Sequence, residues 1–289
     1  MNVSHDGILG CIVGGAIGDV LGGLGERGQL SISDDTLLTI ATCEAIVMEG
    51  QVSPEAIAEC FLRWFRAGAI TGLGSSTLKS LRDLEAGAHW ALCGAKGERA
   101  AGNGAAMRIA PLAFVLDSRD ASHRVAIRDV CRITHHHDEA YLGALAVLLA
   151  IQCPVWLPPL PPPFTSLADA LPDSCVRDRL IAFSELPANE PLPSVAARFG
   201  SSGYVVETVP LAILLAARLT TETFERALAE LESLADDADT IGSIAGQIAG
   251  AHLGYSQLPQ HLLEMPAVQW VVPFAETVAG KLAPSNTKP

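Results

Sequence analysis

Apolar residues recur with helical spacing along most of the chain, and no alternating apolar–polar run of useful length marks a strand. The pattern predicts helices over 6–24, 33–49, 53–66, 77–86, 105–117, 121–133, 138–151, 166–184, 193–198, 205–218, 221–234, 239–253 and 268–281. Start and stop signals agree with several of these. Ser33 or Asp34 caps one helix and Gly50 ends it, while Ser53-Pro54-Glu55 supplies a cap, a first-turn proline and a first-turn acid for the next. Gly-rich loops are expected over 67–76 and 94–104. The run PVWLPPLPPP at 154–163 cannot be helical and reads as a Pro-rich surface loop. Residues 285–289 should fray.

Two of the helices carry glycine at every fourth position: Gly10, Gly14, Gly18 and Gly22 near the start, and Gly242, Gly246, Gly250 and Gly254 near the end. A four-residue period puts each set on one helix face. Each such glycine costs a helix about 1 kcal/mol relative to alanine, which close packing of another backbone would offset. Each stripe is the natural partner of the other. Acidic motifs lie on both sides of the Pro-rich loop, so if they meet, residues 1–284 form a single domain.

Composition narrows the class. The chain is 49% apolar and only 5% aromatic, which suits many closely packed helices and suits a β-sandwich poorly. A net charge of −13 with no basic stripe argues against binding a nucleic-acid backbone. Seven scattered cysteines without a CxxC pair read as reduced thiols in a cytoplasm. No Lys or Arg precedes Arg27, so no signal peptide is expected, and the apolar run 208–217 is too short for a bilayer.

The acids carry the candidate chemistry. Asp19, Ser33-Asp34-Asp35-Thr36 and Asp237-Ala238-Asp239-Thr240 all sit at the ends of otherwise apolar helices. Acids rarely enter a protein interior unless they are paired or bind metal. Four carboxylates (Asp34, Asp35, Asp237, Asp239) and two hydroxyls (Ser33, Thr240) form an oxygen-donor set suited to Mg²⁺ or Mn²⁺, and are more than one Mg²⁺ usually takes. Two cations sharing a bridging Asp would use them, whereas separate helix capping would explain each motif alone. The Gly102-Asn103-Gly104 loop, ahead of Met107 and Arg108, could present N–H groups to a phosphate or be simple turn chemistry. In His135-His136-His137 no Cys or His has zinc-ligand spacing, and His135 or His137 could instead bond a substrate. Ser201-Ser202-Gly203-Tyr204 could contact a ribose or base, or just begin a helix.

Together these segments resemble the ADP-ribosylglycohydrolase family, which includes the dinitrogenase-reductase-activating glycohydrolase and the ADP-ribosyl-acceptor hydrolases. The matching stretches are GGAIGDVLGG (14–23), SDDT (33–36), GNGAAMRIAPL (102–112), THHHDEA (134–140), SGYVVET (202–208) and DADTIGSIAGQIAG (237–250), all in family order. The resemblance implies an all-α orthogonal bundle with a central binuclear metal cleft. It implies that Ser33, Asp34 and Asp35 bind one divalent cation and that Asp237, Asp239 and Thr240 bind the other, with Asp239 bridging and Asp19 in support. Gly102, Asn103 and Gly104 would hold the ADP-ribose phosphates beside Met107 and Arg108. His135 would contact the same ligand, and Tyr204 its nucleotide or ribose. Glu26 falls where family members carry an acid that approaches the metals, although the segment from Asp19 to Ser33 is shorter here.

The implied activity is hydrolysis of the glycosidic bond between ADP-ribose and an acceptor. Asp35 or Glu26 would take the proton of the attacking water, and Asp239 would complete the catalytic set. ADP-ribosyl-arginine on protein is the first expectation. A serine-linked conjugate, O-acetyl-ADP-ribose, or a non-catalytic ADP-ribose-binding or structural role are the alternatives. One departure bears on the linkage: the nitrogenase-regulating enzyme has an Asp three residues before the loop Asn, and here that position is Ala100.

Overall fold

The computed structural model describes residues 4–24, 28, 30–154, 163–187, 189–220, 224–231, 234 and 236–283. Glu26, nearly all of the Pro-rich loop and the C-terminal tail lie outside these residues. The elements in order are α1 (His5–Gly22), α2 (Asp34–Glu49), α3 (Pro54–Arg66), α4 (Ser75–Glu85), α5 (Trp90–Cys93), β1 (Ala95–Lys96), α6 (Ala121–Arg132), β2 (His135–His136) and α7 (Asp138–Ile151). There follow α8 (Phe164–Asp169), α9 (Cys175–Ser184), α10 (Leu192–Phe199), α11 (Val205–Leu219), α12 (Phe224–Leu231), α13 (Ala238–Leu253), α14 (Gln260–Leu263) and α15 (Pro266–Leu282). The fold is all-α, as the periodicity predicts, and one apolar cluster runs through it from Ile8 to Ala279. Among the described residues no helix is long and apolar enough to cross a membrane.

The two glycine stripes meet. Helix α1 is buried nearly all round and lies against α13. A Cβ at Gly14 would run into the Gly246 carbonyl, one at Gly18 into that of Gly242, and one at Gly22 into that of Ala238. These pairings run in opposite directions along the two helices, so the pair is antiparallel. With no side chains between them the backbones touch, and the lost helix propensity is exchanged for contact across the seam. Because the helices are antiparallel, the last turn of α1, carrying Asp19, lies beside the first turn of α13, carrying Asp239. Helices α11 and α15 pack against the outside of this pair.

Three expectations are corrected. The helix expected over 105–117 is instead two 3-10 turns, Asn103–Arg108 and Ala110–Phe114. Pro111 has no N–H to donate to the Met107 carbonyl four residues back. That carbonyl accepts from Gln247 Nε2 (2.7 Å) and Thr39 Oγ1 (3.3 Å). The helix expected over 166–184 splits into α8 and α9, with Pro172 between them and Ser174 capping the second through the Arg177 N–H at 3.1 Å. A parallel strand pairing also appears, joining Ala95 to His135 and Lys96 to His136. At two residues a strand it is too short to leave an alternating pattern, yet it helps to fix His135.

Candidate active site

The acids converge because three helix ends do. Ser33 caps α2, its Oγ accepting the Asp35 N–H at 3.3 Å. Asp19 reaches the same helix start from α1: its Oδ2 accepts from Ser33 N (2.8 Å), Thr36 Oγ1 (2.6 Å) and Thr36 N (3.4 Å). An anion at a helix N-terminus is favoured by the helix dipole. Asp237 precedes α13 but does not cap it with its side chain. Its Oδ2 accepts instead from Asn103 Nδ2, and Asn103 Nδ2 also donates to Thr208 Oγ1 at 3.0 Å. Asp239 Oδ1 accepts the Thr240 N–H at 2.8 Å.

Asp35 links the two acidic motifs. Its Oδ2 accepts Ser33 Oγ at 3.0 Å and Thr240 Oγ1 at 3.3 Å. Its Oδ1 is buried and has no hydrogen-bond partner, which costs free energy unless something absent from the protein fills the place. Carboxylate oxygens of Asp19, Asp35 and Asp239 all lie within 4.8 Å of one another, an arrangement that can hold a metal ion. Burial, then the charges of Asp19 and Asp239, push Asp34 up to about 7. The same causes, with Asp34 and Asp237 adding to them, raise Asp35 well above the usual carboxylate range. Like charges held this close out of water are relieved by protonation or by a bound cation.

The cluster forms the floor of a cleft of about 400 Å³. It is also lined by Gly102, Asn103, Gly104, Met107 and His135, by Gly72 and the helix start from Gly74 to Thr77, and by Arg99 and Gly203. Gly72 has φ +83°, and the loop it shapes brings the Gly74 N–H to the Asp34 carboxylate.

A family model of ADP-ribosylglycohydrolase matches residues 2–287. The chain belongs to the ADP-ribosylglycohydrolase family. It is 31% identical over 243 residues to an ADP-ribosylarginine hydrolase Tri1 of Pseudomonas putida, covering 81% of this chain and 62% of that protein. It is 25% identical to the ADP-ribosyl-[dinitrogen reductase] glycohydrolase of Rhodospirillum rubrum over 88% of each chain. It is 26% identical to the ADP-ribosylhydrolase ARH3 of Danio rerio over 86% of this chain and 83% of that one. A solved structure titled ADP-ribosylglycohydrolase-related protein complex shares the fold, with a TM-score of 0.66 and 23% identity over 98% and 99% of the two chains. This ADP-ribosylglycohydrolase is accordingly a hydrolase.

The cleft gathers Asp34, Asp35, Asp237, Asp239, Thr240, Gly102, Asn103, Gly104, Met107 and His135 from the expected set. Three other residues are placed differently. Ser33 does not line the cleft, and its Oγ is bonded to Asp35. Tyr204 precedes α11 with its side chain 39% exposed, its backbone bridging to Gly102, and it is Gly203 that lines the cleft. Arg108 is fully buried and faces away from the cleft. Its Nη2 donates to Thr134 Oγ1 (2.9 Å) and Val130 O (3.3 Å), and its guanidinium lies over the Phe61 ring. No helical period exists in its 3-10 segment to say which way such a side chain points. The Asn103 amide is likewise committed to Asp237 and Thr208, which leaves its neighbours' backbone facing the cleft.

Sequence reasoning passed over the wall from Gly72 to Thr77. Its signal was the run GLGSST, a glycine-and-hydroxyl helix start of the same kind as the 102–104 loop. Asp19 was read as support alone, and the structure places a carboxylate oxygen of it inside the acidic group itself.

Proposed function

We propose that this protein hydrolyses the glycosidic bond between ADP-ribose and a modified acceptor, in the cleft above the acidic cluster and with two divalent cations, Mg²⁺ or Mn²⁺. The observation that carries this is Asp35 Oδ1, buried and unpartnered among the carboxylates of Asp19 and Asp239. An all-oxygen donor set of this kind fits hard cations. Ser33, Asp34 and Asp35 would hold one and Asp237, Asp239 and Thr240 the other. When bound, such cations supply positive charge that can fix a ribose diol and favour attack at the anomeric carbon.

The chain's own groups do the rest. The hydroxyls of Ser33 and Thr240 hold Asp35 through Oδ2, which leaves Oδ1 without a hydrogen-bond partner. In this reading Asp35 or Glu26 accepts the proton of the attacking water, with Asp239 completing the set. Asn103 keeps Asp237 in place, and Asp19 ties the start of α2 to α1. The Gly102–Gly104 backbone and the start of α4 are the surfaces for the pyrophosphate.

ADP-ribosyl-arginine on protein is the first substrate to test. One observation favours a second linkage: Arg99 lines the cleft and Ala100 beside it offers no acid, so a guanidinium leaving group would meet a cation. Serine-linked or O-acetyl conjugates meet no such repulsion. The test is release of free ADP-ribose from arginine- and serine-linked substrates, with and without a chelator. Chelator-sensitive release from either supports the proposal, and release from neither, with Mg²⁺ or Mn²⁺ supplied, refutes it.

A further inference from the structure

The buried Arg108 is connected to the cleft through two side chains. Its Nη2 donates to Thr134 Oγ1 at 2.9 Å, and Thr134 Oγ1 lies 2.9 Å from His135 Nδ1. Among the described residues Thr134 Oγ1 has no other hydrogen-bond partner, and Thr134 is fully buried. A hydroxyl has one proton to give. Since Oγ1 already accepts from the guanidinium, the ring nitrogen is the acceptor available to that proton, and an unpaired buried O–H would be costly. Nδ1 therefore accepts, and the ring's single proton resides on Nε2.

The Nε2 edge faces the glycine loop. A Cβ at Gly102 would lie 3.0 Å from Nε2, and one at Gly104 would lie 2.8 Å from Cε1, so both glycines leave room for the ring. Val130 O and Thr134 Oγ1 take Nη2, while among the described residues Arg108 Nε and Nη1 are buried without hydrogen-bond partners and no carboxylate pairs with the guanidinium. Burial first, and this cation second, hold the His135 ring down to about 3, so the imidazole is neutral at ordinary pH.

We propose that Arg108 and Thr134 lock His135 as the tautomer whose Nε2 carries the proton, so that the ring enters the cleft as an uncharged hydrogen-bond donor to an anionic oxygen, a phosphate oxygen of the ADP-ribosyl group. The tautomer stands on the geometry alone, and the choice of ligand rests on the reading of the cleft given above. Donation runs one way, from guanidinium to hydroxyl to imidazole to cleft, and each bond polarises the next. Arg108 and Thr134 are thus positioning residues that act through His135. A neutral donor also adds no further positive charge beside the carboxylates.

The test uses the full chain labelled with ¹⁵N. Long-range proton–nitrogen correlations of the imidazoles, with His135 assigned by its loss in His135→Asn, should show an unprotonated Nδ1 and a protonated Nε2. Thr134→Val should lose that preference and weaken ADP-ribose binding about tenfold, the effect of one hydrogen bond. Thr134→Ser should restore both. A protonated Nδ1 in the wild type overturns the tautomer assignment, and a Thr134→Val spectrum identical to wild type overturns the locking role given to Arg108 and Thr134. Should Thr134→Val not fold, the wild-type spectrum still decides. A wild type with the expected spectrum that does not bind ADP-ribose overturns the choice of ligand, and with it the reading of the cleft, and leaves the tautomer standing.

Discussion

Replacing a helical glycine by alanine ordinarily strengthens a helix by about 1 kcal/mol, so the seam between α1 and α13 makes a prediction of opposite sign. At Gly18 a Cβ would lie 2.9 Å from the Ser243 nitrogen and nearer still to the Gly242 carbonyl, inside the 3.0 Å that real Cβ atoms essentially never cross. The obstacle is backbone on both sides, so no side chain can rotate away and the helices must part. Overpacking of this kind costs about 1–3 kcal/mol and occasionally more. Gly18→Ala, at the upper end of that range, should therefore lose about 2 kcal/mol net of the propensity gain, seen as a fall of about 4–8 °C in Tm at roughly 2–4 °C per kcal/mol. Gly10→Ala, which would meet the Gly254 and Tyr255 backbone at 2.7 Å, should lose a similar amount. Gly280→Ala in α15, where nothing lies within 4 Å, should instead raise Tm. Activity separates the two seam variants. Gly18 adjoins Asp19 and faces the first turns of α13, whereas Gly10 lies about 12 Å further along α1. At a temperature where all are folded, Gly18→Ala should lose ADP-ribose release and Gly10→Ala should keep most of it. An unchanged or higher Tm for Gly18→Ala would refute the account of the seam, and equal loss of activity in the two variants would refute its link to the site.

Two further predictions concern the acids. Asp35→Ala and Asp239→Ala should each abolish turnover while Tm stays level or rises without metal, because each removes one of several crowded like charges; wild-type rates in either would sink the metal assignment. Asp34, raised from 3.8 to about 7, contributes stability that is complete below about pH 4 and is lost as pH climbs through about 7, a span of about 4 kcal/mol at most. Tm of the chelated protein should thus fall, relative to the Mg²⁺-loaded protein, between about pH 4 and pH 7. Parallel Tm curves with and without Mg²⁺ would contradict it.

What could be read from the sequence depended on whether a residue's role was written in a period. The glycine stripes were legible because only a backbone contact justifies glycine at every helical turn, and the structure supplies that contact. Ser33-Asp34-Asp35 and Asp237-x-Asp239-Thr240 were legible because acids crowded at the heads of apolar helices need compensation. The two-residue strands beside His135 had no period to show, and the 3-10 turns after Asn103 took their shape from Pro111 and from the distant Gln247 and Thr39.

Arg108 and Asn103 illustrate the limit more sharply. Both lie in the segment whose motif points to ligand contact, and both spend their side chains on protein. Asn103 bonds Asp237 across the cleft wall, and Arg108 bonds Thr134 behind it. A sequence motif records that a residue type is needed at a position, not which side of the wall it serves. The 102–104 loop presents mainly glycine to the cleft, while the Asn103 amide and the Arg108 guanidinium of the same motif bond Asp237 and Thr134. The chemistry therefore depends on groups one bond removed from the substrate, which is why variants of Thr134 and Gly18, neither of which lines the cleft, should alter what the cleft does.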